Sequence, residues 1–77
     1  MPENKKVEPM AIEGRPLDIR LHYLCPVLYV PNHANGDAGH KDCEKGVIIS
    51  LGACDVRVLY CKSRTVQATD PRDLVWG

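Results

Sequence analysis

The sequence predicts an all-β protein, a small barrel of about five short antiparallel strands with at most one 3-10 turn. Two observations carry this. Proline or glycine interrupts every window long enough for a helix, at 9, 14, 16, 26, 31, 36, 39, 46, 52 and 71. The apolar residues between them fall in short runs or alternate with polar ones. With 77 residues there is room for one domain, near the size where a single core is barely self-sufficient.

The first fourteen residues mix Pro2, Pro9, Lys5, Lys6, Glu3, Glu8 and Glu13 with few apolar side chains. Such a segment buries too little to offset its ordering entropy, so Met1–Gly14 is expected to be a flexible arm, ending at most in an edge strand near Val7–Ile12. The folded domain is then 15–77. Leu17, Ile19, Leu21 and Tyr23 alternate with Asp18, Arg20 and His22, which predicts a half-buried strand with the first set inward. Pro26 interrupts it, and Val27–Val30 resumes an extended run.

From Pro31 to Lys45 the composition turns to loop formers, with Asn35-Gly36-Asp37 a strong turn signal. A loop of this length in so small a chain is where function is sought first. A tight meander should follow: Val47–Leu51, a short connection at Gly52-Ala53-Cys54, then Asp55–Tyr60 with Val56, Val58 and Tyr60 on one face. After Lys62-Ser63-Arg64, Thr65–Thr69 alternates as a further strand. Asp70-Pro71 signals a turn, the expected place for the 3-10 turn, and Leu74 and Trp76 fold back to plug the barrel end.

Ten basic and ten acidic residues give no net charge, which argues against a general nucleic-acid binder. A local basic face of Arg57, Lys62, Arg64 and Arg72, with Tyr60 as a stacking platform, is the alternative that keeps nucleic acid open. No apolar run is long enough to cross a bilayer and no secretory signal begins the chain, so a cytoplasmic setting is expected. In that reducing compartment the four cysteines are expected to be free. Cys25, Cys54 and Cys61 lie among apolar residues and read as small core hydrophobes.

A cofactor is not expected, although zinc has one weak foothold. His33, His40 and Cys43 could ligate it, with Asp37 or Glu44 as a fourth group, in a zinc-stabilised structural module. Cys43 beside His40 or His33 is also the nominal thiolate–imidazole pair. A loop on a domain this small offers little to exclude water, so no catalysis is expected. A non-catalytic binding module remains, with a protein partner ahead of nucleic acid. Its expected surface is the loop with Tyr29, through His33, Asn35, Asp37, His40, Asp42 and Glu44, and an exposed edge near Leu17–Tyr23. A homodimer is a further expectation, since small cores gain from pairing.

The string Tyr29-Val30-Pro31-x-His33-Ala34-x-Gly36-Asp37-x-x-His40-x-Asp42-Cys43-Glu44-x-Gly46-Val47 carries a resemblance, together with Val56-x-Val58-x-Tyr60 and Gln67-Ala68-Thr69-x-Pro71-x-Asp73-Leu74-x-Trp76. These residues resemble short uncharacterised proteins of tailed phages and prophages. The resemblance implies a small SH3-like barrel of the Tudor or KOW type, a mobile-element origin and a bacterial host cytoplasm. It also implies an accessory role, such as regulating or inhibiting host machinery, including anti-defence. Leu17–Pro26 lies outside it.

Overall fold

The computed structural model describes residues 10–77, so the first part of the expected arm lies outside the described residues. The described chain is built mainly of strands: β1 (Ala11–Ile12), β2 (Arg15–Pro16), β3 (Pro26–Tyr29), β4 (Glu44–Leu51), β5 (Val56–Tyr60), β6 (Val66–Thr69) and β7 (Leu74–Trp76). One helical turn, α1 (Ile19–His22), and 3-10 turns at Asn32–Ala34 and Pro71–Asp73 interrupt them. No helix among the described residues is long and apolar enough to cross a membrane.

Five strands form one antiparallel sheet in the order β6-β5-β4-β3-β7. Among the described residues it does not close, because β6 and β7 are its two edges. Register places Tyr60, Val58 and Val56 of β5 beside Gly46, Ile48 and Leu51 of β4, and Gly46 beside Val27 of β3. Side chains alternate between faces, so these residues share one surface. Val27, Ile48, Val56, Val58, Tyr60 and Leu74 are buried there. The inward face expected for β5 is the one observed.

Gly46 sits where β5 crowds β4. A Cβ on it would lie 2.5 Å from Val58 Cγ1 and 2.8 Å from the Leu59 carbonyl oxygen. Only glycine lets the strands meet there. Two residues on, the β4–β5 register shifts between Ile48 and Ser50, a bulge that bends β4.

Part of the expected arm is core. Ile12 is fully buried, and β1 and β2 form a hairpin over the sheet. Glu13 (φ 50°) and Gly14 (φ 80°) are its two loop residues, both left-handed as a type I′ turn requires. Trp76 fastens the hairpin down: its indole Nε1 donates to the Ile12 carbonyl (3.0 Å), and its backbone N–H donates to Glu13 Oε1 (2.8 Å). Arg15 lies over the Trp76 ring at 5.1 Å. Contact with distant residues, rather than local composition, orders this segment.

The strand expected over Leu17–Tyr23 is instead α1. Asp18 caps it, accepting from the Arg20 N–H (2.9 Å), and that local bond competes with a strand ladder. Leu17 and Ile19 still pack against the core, whereas Leu21 and Tyr23 are 72% and 57% exposed. Two cysteine expectations also fail, for Cys54 and Cys61 are exposed and Cys25 is only half-buried. Cys54 lies in the β4–β5 connection and Cys61 just after β5, where neither reaches the core. The 3-10 turn at Pro71–Asp73 is where it was expected, capped by Asp70, but the one at Asn32–Ala34 was not foreseen.

Candidate functional site

The hairpin and α1 cover only part of the sheet's inner face. Toward β6 that face stays open as a groove of about 420 Å³, lined by Tyr29, Glu44, Tyr60, Ser63, Thr65, Gln67, Ala68 and Thr69. Its shape follows from register. Gln67 pairs with Val58 and Thr69 with Val56, so β6 presents polar side chains where a core strand would present apolar ones. Tyr29 and Tyr60 meet edge to face, with centroids 6.2 Å apart and planes at 75°.

Two polar features shape the groove. The Tyr60 hydroxyl shares a 2.7 Å hydrogen bond with Thr69 Oγ1, and burial pushes the Tyr60 pKa up, partly opposed by that bond. Glu44 Oε2 accepts from the Ser63 N–H (2.7 Å), which fixes the carboxylate against the β5–β6 turn. Among the described residues no cation pairs with Glu44.

β6 is itself open. Val66, Gln67 and Ala68 are exposed, and no described strand pairs with its outer edge. The Tyr60 N–H donates to the Thr65 carbonyl (2.9 Å), which sets the phase of the β5–β6 ladder. Alternation along an antiparallel pair then turns the N–H and C=O of Val66 and Ala68 outward.

Of the residues expected to bind a protein, Tyr29 and Glu44 line this groove. Asn35 lies elsewhere, in a second cleft of about 370 Å³ with Pro31, Asn32, Arg72 and Asp73. It is left-handed (φ 51°) and ends the 3-10 turn, and Asp37 accepts from the Gly39 N–H (2.9 Å). Both shape the loop. His33, His40 and Asp42 come together on its far side: His33 Nε2 is 2.6 Å and His40 Nδ1 3.9 Å from Asp42 Oδ2. Cys43 is not the third member of that group, because its thiol donates to the Asp37 carbonyl (3.3 Å).

The expected basic face is dispersed. Lys62 and Arg64 lie in the turn before β6, while Arg72 lies beyond its far end, paired with Asp70 at 2.7 Å. Arg57 points to the opposite sheet face from the groove and pairs with Asp55 at 3.3 Å. Tyr60 is 4% exposed, which leaves no ring face on which a base could stack.

Comparison with protein families, curated proteins and solved structures yields no match. The functional reading therefore rests on this geometry. The groove residues Ser63, Thr65, Gln67 and Thr69 were missed by sequence reasoning, although the polar set Thr65, Gln67 and Thr69 in the expected alternating strand was a signal.

Proposed function

We propose that this chain is a non-catalytic binding module that captures an extended segment of a protein partner. The segment adds to β6 as a further strand, and a basic side chain on it seats against Glu44 beside Tyr29. One observation carries the reading: the edge of β6, unpaired among the described residues, borders an open groove with a carboxylate and an aromatic wall at one end. Main-chain bonds to Val66 and Ala68 would supply affinity, and alternate side chains entering the groove would supply specificity. Lysine or arginine suits Glu44 by charge and Tyr29 by cation–π attraction.

The absence of catalysis in this proposal is supported by Cys43, whose thiol faces a backbone carbonyl and not an imidazole. Five antiparallel strands in one sheet are in keeping with the small SH3-like class, here left open between β6 and β7. The phage resemblance supplies the setting: an accessory protein docking on a host or phage protein in the bacterial cytoplasm, as a regulator or anti-defence inhibitor would.

Panning a random peptide library on the full chain tests this. Selected peptides should share a lysine or arginine flanked by β-forming residues, and Glu44→Gln should weaken them about tenfold, the scale of one lost charge-assisted bond. Selected peptides with no basic position, or equal affinity for the Glu44→Gln variant, would overturn it.

A further inference from the structure

We propose that His33, His40 and Asp42 form a three-ligand site for a divalent transition-metal ion, with zinc the best fit. This site lies on the Asn32–Cys43 loop and is separate from the β6 groove. One ligand atom from each residue falls within 4.8 Å of the others. Zinc bonds of about 2.0–2.1 Å at tetrahedral angles set neighbouring ligands roughly 3.3 Å apart. The distances from Asp42 Oδ2, 2.6 Å to His33 Nε2 and 3.9 Å to His40 Nδ1, bracket that spacing.

The donor chemistry narrows the metal. Two imidazoles and one carboxylate suit zinc and its borderline neighbours, whereas calcium and magnesium prefer oxygen alone. The imidazoles already stand edge to face, with centroids 5.3 Å apart. His40 Nδ1 accepts from the Asp42 N–H (3.0 Å), so metal binding must break this hydrogen bond and leave the N–H to water, which exposed Asp42 permits. With His33 and Asp42 side chains 63% and 47% exposed, the fourth position faces water or an incoming ligand.

The test titrates zinc alone into the metal-free full chain against a chromophoric chelator. One ion should bind per chain, and His33→Ala, His40→Ala and Asp42→Ala should each weaken it by at least about tenfold, the least that losing even a supporting group costs a metal site. Cys43→Ser and His22→Ala should bind as the parent does. Circular dichroism of each variant confirms that the loop changes leave the sheet folded. No zinc uptake by the folded parent would overturn the proposal. So would uptake lost with Cys43→Ser but kept with His33→Ala and His40→Ala.

Discussion

Asp70 holds the turn before β7 by accepting from both the backbone N–H (2.9 Å) and the guanidinium of Arg72 (2.7 Å). The Arg72 side-chain bonds foremost, then its N–H, bring the Asp70 pKa down to about 2. A carboxylate with a depressed folded pKa adds stability that is fully present above its unfolded value, near 3.8. That stability is lost as pH falls toward about 2. Asparagine can keep the cap while removing the charge. Thermal melts should therefore show the parent more stable than Asp70→Asn by a constant margin above pH ~4, and that margin should shrink below it. A margin that is flat across the acid range would mean the charge contributes nothing. The cap itself was legible, since Asp before Pro is a turn signal of known chemistry.

At the scale of elements, the β1–β2 hairpin shows what local reading misses. Nothing within Met10–Gly14 marks Ile12 as core, since the residues that bury it lie at the other end of the chain. Its carbonyl is held by Trp76, sixty-four residues away in sequence. Ile12→Ala should destabilise the fold by about 2–4 kcal/mol, the usual range for an emptied core site. It should also change Trp76 fluorescence in the native state. Denaturant unfolding measures the first, and an unchanged midpoint would place the hairpin outside the cooperative unit. α1 was lost for a related reason: period-two alternation over seven residues also fits one helical turn with flanks, and Asp18 decides between them. The meander of β4, β5 and β6, by contrast, could be read almost directly, because β-branched runs bounded by glycine and tight turns leave few other structures.

On the scale of the whole molecule, the sheet has one edge dressed and, among the described residues, one bare. Glu13 and Trp76 occupy the β7 side, while β6 offers its outward N–H and C=O groups beside the groove. One end of the candidate site was visible beforehand, through Tyr29 and Glu44. The rest was not, because which face of β6 meets the groove depends on register across five strands, which no single segment contains. Bare edges are usually blunted by charge, proline or bulges, and Val66-Gln67-Ala68 carries none of these. The most direct test places proline at Ala68, which removes an outward N–H and spares the ladder to β5. In amide NMR titrations with a selected peptide, the parent should shift mainly at Val66–Thr69 and Glu44. Ala68→Pro should stay folded and bind at least about tenfold more weakly, the scale of a lost main-chain bond and its strained neighbours. A folded Ala68→Pro variant that binds as the parent does, or shifts confined to Asn32–Cys43, would contradict the account.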